Sequence, residues 1–263
     1  MPDALNPPLP AMPMALALAV VLGAGIVRGF AGFGFSALSV AGLALIVSPS
    51  QVVPAIFMLE VLASLTLLRG ALRDVDWPWL GWLVLGNGLA IPIGIALLAW
   101  LPETPLRLVI GALLLLAALL LRAGVSIGLA PTRGMRLATG VASGFVNGIA
   151  AIGGIAVAVL LSATALAPAA MRATMIALFL FTDLYALAWA GIVSFGLGAP
   201  SDLLGRDTLR WALWLTPAML AGIAIGQRSF IGVSPARFRR RVLELLIGVA
   251  ALTVARAALS LEG

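Results

Sequence analysis

Residues 23–34 read Gly-Ala-Gly-Ile-Val-Arg-Gly-Phe-Ala-Gly-Phe-Gly, and residues 144–154 read Gly-Phe-Val-Asn-Gly-Ile-Ala-Ala-Ile-Gly-Gly. Each patch interrupts a long apolar stretch, Pro13–Ser48 in the first half and Met135–Leu166 in the second. Sliding the chain by 144 − 25 = 119 positions lays Gly25 on Gly144, Val27 on Val146, Gly29 on Gly148, Ala31 on Ala150 and Gly34 on Gly153. The match continues with Ala37 on Ala156, Val40 on Val159 and Pro49 on Pro168. Shared glycine spacing followed by a shared proline implies an internal duplication, about 13–122 and 134–261, inside one domain spanning residues 1–263.

The surrounding composition says which solvent these stretches meet. Apolar residues make up 62% of the chain and charged residues 10%, against roughly 45–50% and about 25% in soluble proteins. Water cannot accommodate that much apolar surface, whereas lipid tails can. The chain has no Cys and no His, so thiol chemistry, disulfides and the commonest metal ligands are excluded, and neither a cofactor nor a metal is expected. All sixteen basic residues are Arg, and most fall between apolar runs, which is topology charge and not a nucleic-acid surface. Ala15–Gly25 has the look of a signal-peptide core, but no basic segment precedes it and the apolar pattern runs on. It is read as the first membrane segment.

The other runs are Gln51–Leu68, Trp79–Leu101, Leu106–Leu121, Met171–Ser194, Leu209–Phe230 and Val242–Leu261, each near the ~20 residues a span needs. Arg69 and Arg73, then Arg122, Arg133 and Arg136, then Arg228 and Arg237–Arg241 mark three cytoplasmic loops. That leaves the N-terminus periplasmic. Parity requires each broken stretch to cross twice or not at all. Arms of about 13 residues rise ~20 Å, short of a ~30 Å core, which favours re-entrant hairpins with glycine-rich tips near the midplane. Ten thin spans have the same parity and stay open. The expected fold is an all-α membrane bundle of two inverted repeats, each with one broken hairpin and three transmembrane helices. Inverted repeats with interrupted helices point to a secondary transporter.

Gly25-Ile-Val-Arg-Gly-Phe-Ala-Gly-Phe-Gly34 resembles the Gly-Phe-x-Gly-Phe-Gly signature of the TauE/SafE family of sulfite-exporter-like membrane proteins, and Gly144–Gly154 resembles its second copy. Length, duplication, Pro49 and Pro168 fit as well. In that family the second copy is richer in glycine; here Ala150, Ala151 and Ile155 stand at such places. The resemblance implies movement of a small anion such as sulfite or a sulfonate, generally outward across a bacterial inner membrane.

The substrate-binding candidates are Arg28, Gly29, Gly32, Phe33 and Gly34 at the first tip, with Asn147, Gly148, Gly153 and Gly154 at the second. Glycines let backbone unwind so that N–H groups face an anion. Gly25–Gly29 and Gly144–Gly148 are also G-x-x-x-G pairs, which favour close helix packing. Arg28 suits bidentate oxyanion binding, with Asn147 as its neutral repeat partner; the bland alternative is an Arg that snorkels to an interface. On the binding reading, Arg28→Ala abolishes flux and spares folding. Glu60 and Asp183 fall inside apolar runs and either carry a coupling proton or pair structurally, for example with Arg172 or Arg28. Asn87, Gln227 and Glu244 are less telling, and most Trp residues cluster near run ends as an interfacial belt.

Energetics decides whether export needs a coupling ion. One charge crossing 100 mV is worth about 2.3 kcal/mol, so a dianion leaving through ~150 mV gains about 7 kcal/mol. The expected function is therefore voltage-assisted efflux of a small anion. A channel, a proton-coupled importer and a non-transporting assembly factor are the alternatives, and an enzyme is not expected. The implied partners are the anionic substrate and the lipid bilayer, with a homodimer compatible with the sequence and no nucleic acid.

Overall fold

The computed structural model describes residues 6–123, 132–162 and 166–228. Among these residues there are helices and no strands. The helices are α1 (Ala11–Ala31), α2 (Phe35–Leu43), α3 (Pro49–Ala71), α4 (Trp77–Trp100), α5 (Glu103–Ala123), α6 (Arg133–Ala150), α7 (Gly154–Ser162), α8 (Pro168–Gly191) and α9 (Arg206–Arg228). A 3-10 turn at Leu72–Asp74 closes α3, and a π turn at Ile192–Gly196 prolongs α8. Five of the described helical segments are long and apolar enough to cross a membrane: Ala11–Ala31, Pro49–Asp74, Trp77–Trp100, Ala169–Gly196 and Arg206–Arg228. The apolar run Val242–Leu261, Glu244 and the Arg237–Arg241 cluster lie outside the described residues.

These helices bury one apolar face and expose another. In α4, Leu83, Asn87, Ile91 and Leu98 are buried, while Leu85, Leu89 and Ile93 are more than half exposed. A soluble helix would carry polar residues at the outer positions, so the exposed stripe is a lipid-facing surface.

The two broken stretches depart from equal arms of about 13 residues. The first arms are 21 and 18 residues long, and each second arm is nine. Nine residues rise about 13 Å, under half a ~30 Å core, so neither α2 nor the described part of α7 is long enough to span by itself. Instead α2 folds back along α1, bringing Gly34 beside Val27 and Gly42 beside Val20. The break is confined to Gly32 (φ +80°) and Gly34 (φ +92°), where a left-handed backbone stops α1 and opens α2. Gly23–Phe30 stays helical despite its glycines.

The reason is packing. A methyl at Gly25 would sit 2.7 Å from Met219 O of α9, and one at Gly29 would sit 3.0 Å from Gln227 N. In the second half a methyl at Gly144 would lie 2.6 Å from Asn87 Cα of α4, and one at Gly148 would lie 2.6 Å from Ile91 O. Gly222 and Gly226 of α9, and Gly86 and Gly94 of α4, complete two glycine-lined seams. Close backbone approach offsets the conformational cost of glycine in a helix.

The seams also fix direction. Gly25 faces Met219 and Gly222, and Gly29 faces Ile223 and Gln227, so α1 and α9 run parallel. Gly86 faces Leu137 and Val141, and Gly94 faces Phe145 and Ile149, so α4 and α6 run parallel. The short connections 44–48 and 72–76 turn α2 into α3 and α3 into α4. Hence α1 and α3 run one way, α4 and α6 the other, and the two hairpins enter the bundle from opposite ends. The starts of α4, α6 and α8 share an end: Arg136 lies over the Trp79 ring at 4.2 Å, and Asp76 N–H donates to Thr174 Oγ1 at 3.0 Å.

Candidate functional site

Buried charge gathers where the two breaks approach one another. Arg28 occupies the last turn of α1 and is 0% exposed, so it does not snorkel to an interface. Its Nη1 donates to Gly32 O at 2.7 Å, satisfying a carbonyl that the end of the helix leaves free. Its Nη2 donates to Ser64 Oγ at 2.8 Å and lies 3.1 Å from Glu60 Oε2. The guanidinium rests over the Phe179 ring of α8, 4.5 Å from its centroid. Glu60 is the central residue of the 23-residue α3, and its Oε1 accepts from Ser36 N–H at 3.2 Å. That N–H belongs to the first turn of α2, whose dipole favours negative charge.

Arg172 reaches the same tip from α8. Its Nη2 donates to Gly29 O at 3.1 Å, and its side-chain carbons pack on Gly32. Among the described residues no carboxylate lies within ion-pair distance of it, and its Nε has no hydrogen-bond partner. Phe33 and Gly34 are half-buried at the bend.

At the second break, Asn147 Nδ2 donates to Asp183 Oδ1 at 3.0 Å, and Asn147 Oδ1 accepts from Gly153 N–H at 3.4 Å. Asp183 is 1% exposed, its Oδ2 has no hydrogen-bond partner, and no described cation lies within ion-pair distance of it. The α6 cap is Ala151 at φ 57°, a left-handed residue bearing a side chain. Gly154 abuts the Phe179 ring, so one aromatic side chain touches both tips. Deeper in the α4–α6 seam, Ser143 Oγ donates to Asn87 Oδ1 at 3.3 Å, and Asn87 Nδ2 donates to Leu83 O at 2.8 Å.

The candidates therefore divide. Arg28, Gly32, Phe33, Gly34, Glu60 and Arg172 come together at the first break, and Asn147, Gly153, Gly154 and Asp183 at the second. Gly29 and Gly148 lie in the helix-packing seams, although Gly29 also lends its carbonyl to Arg172. Gln227 adjoins Gly29 in a seam. Of the belt tryptophans, Trp77 and Trp100 are exposed at the ends of α4, whereas Trp79 and Trp211 are buried. Ser36, Ser64 and Phe179 were not singled out from the sequence. Yet 60 + 119 = 179 and 64 + 119 = 183, so the duplication offset lays Glu60 on Phe179 and Ser64 on Asp183. The Arg28–Ser64 and Asn147–Asp183 bonds both join residues 36 apart in sequence.

A family model described as Sulfite exporter TauE/SafE matches residues 17–253, nearly the whole chain. No curated protein and no solved structure matches it.

Proposed function

The chain belongs to the TauE/SafE sulfite exporter family, a family of multi-pass membrane transporters and not of enzymes, and from that premise we propose that it exports a small oxyanion, sulfite or an organosulfonate, across the bacterial inner membrane. The observation that carries this reading is the charge at the first break. Two guanidinium groups, Arg28 and Arg172, bond carbonyls of one bend at Gly32 and Gly29, and among described residues only Glu60 pairs with either. Guanidinium forks suit oxyanions, and cations buried in a membrane bundle mark ion pathways.

The position of the arginines supports the outward direction. Arg172 sits at the start of α8, the end shared with Arg133 and Arg136. The excess of Arg there supports a cytoplasmic place for that end and a periplasmic N-terminus. A cytoplasmic anion meets half-buried Arg172 first and buried Arg28 second. The two halves act as inverted copies rocking around the tips, and the membrane potential drives a dianion outward without a coupling ion.

Sulfite, thiosulfate, methanesulfonate and acetate loaded into proteoliposomes test this. Efflux of sulfite or the sulfonate should accelerate when the potential is made negative on the side corresponding to the cytoplasm, and Arg172→Gln should slow it at least tenfold with folded yield unchanged. Flux insensitive to potential, or undiminished in Arg172→Gln, refutes the reading. Arg28→Ala does not separate binding from folding, because it strands Glu60 in the core.

A further inference from the structure

The carboxylate of Glu60 is bound as a substrate anion would be. One oxygen takes a backbone N–H at the start of α2, Ser36 at 3.2 Å, and the other faces Arg28 Nη2 at 3.1 Å. An α-helix N-terminus beside a guanidinium is an oxyanion seat. Glu60 fills it incompletely. Both residues are at most 1% exposed, yet Arg28 Nε and Glu60 Oε2 have no hydrogen-bond partner. A planar guanidinium offers its Nε–H and one Nη–H as a parallel pair, and a carboxylate already holding Ser36 meets only the Nη edge. An anion with three oxygens on one centre has enough acceptors for Nε, Nη2 and the Ser36 N–H together.

We infer that Glu60 is an internal stand-in for the transported oxyanion, and that substrate binds by displacing its carboxylate from Arg28 and Ser36. The inference rests on the export reading and names the event at its site. Exchange of one anion for another explains how a fully buried Arg28 avoids being left uncompensated between cycles, which is costly. It also keeps substrate affinity modest, because each binding event breaks an existing pair. A site that must release as well as bind needs that property.

The sign of one variant separates this role from a structural one. Glu60→Gln keeps an acceptor for Ser36 N–H but removes the competing charge. Sulfite binding by the purified full chain in nanodiscs, followed calorimetrically, should tighten at least tenfold in Glu60→Gln. KM and maximal efflux should fall together in proteoliposomes as release slows. Glu60→Asp, whose shorter side chain cannot reach both partners, should also bind more tightly than wild type. A purely structural Glu60 gives unchanged or weaker binding in both, and that result overturns the inference. In the wild-type protein, sulfite should perturb a carboxylate stretching band in the infrared difference spectrum; an unperturbed band overturns the inference even if neither variant folds. If Arg28→Gln/Glu60→Gln loses sulfite binding while Glu60→Gln alone leaves it unchanged, the site stands and displacement falls. If wild type binds no sulfite, the export reading itself falls.

Discussion

The two helix breaks use one backbone plan and opposite electrostatics. In each, a long helix ends at a left-handed residue, a nine-residue helix folds back, and a side chain four residues before the cap bonds a partner 36 positions on. The first break holds a charged pair, Arg28 with Glu60. The second holds an amide and a lone carboxylate, Asn147 with Asp183, and puts Phe179 where the first has Glu60. Phe179 then reaches back under Arg28. Matched scaffolds with unmatched charge separate what the backbone needs from what the solute needs: the bend is common to both tips, whereas the ion pair is specific to one.

The largest test of that contrast is Arg28→Gln. Removing one partner of a buried pair leaves the other charge uncompensated and costs about 3–5 kcal/mol, visible as a lowered thermal midpoint in detergent. Arg28→Gln/Glu60→Gln should recover most of the loss while remaining inactive in efflux. Asp183→Asn should cost under about 1 kcal/mol, because the amide oxygen still accepts from Asn147. Equal losses at the two tips would erase the distinction.

Next in size are the seams that position the tips. A methyl at Gly94 would lie 2.5 Å from Phe145 O, whereas one at Gly88 meets nothing within 4 Å. Gly94→Ala should therefore cost about 1–3 kcal/mol by overpacking, read as reduced folded yield and midpoint. Gly88→Ala should be neutral or slightly stabilising, since alanine is the better helix former.

These seams show why the sequence disclosed the breaks but not their extent. The glycine patches and the 119-residue offset are visible in the chain alone. Which glycine bends is not, because Gly25, Gly29, Gly144 and Gly148 stay helical only through contacts with α9 and α4 that arise after folding. The site was legible in the same partial way. Arg28, Glu60, Arg172, Asn147 and Asp183 stand out singly, as ionisable or amide groups in apolar runs. Their pairing depends on how α1, α3, α6 and α8 cross, so composition alone does not mark Ser64 and Phe179, although the offset aligns them with Asp183 and Glu60.

The finest difference between the tips is the cap itself, Gly32 against Ala151, which the 119-residue offset also aligns. A side chain in the left-handed region costs roughly 1–2 kcal/mol, and Gly32 avoids that cost at φ +80°. Gly32→Ala should lose about 1 kcal/mol, the strain being partly offset by a less flexible unfolded chain, and it also presses on Arg172. Ala151→Gly is not the mirror image. It relieves the strain at φ 57° but regains unfolded-state entropy of about 0.4–1 kcal/mol. It also deletes a methyl that is 2% exposed, worth about 0.8 kcal/mol. The terms nearly cancel, so Ala151→Gly should move stability by less than about 0.5 kcal/mol. A clear gain in thermal midpoint would show that the methyl contributes little packing and that the second tip carries strain the first does not.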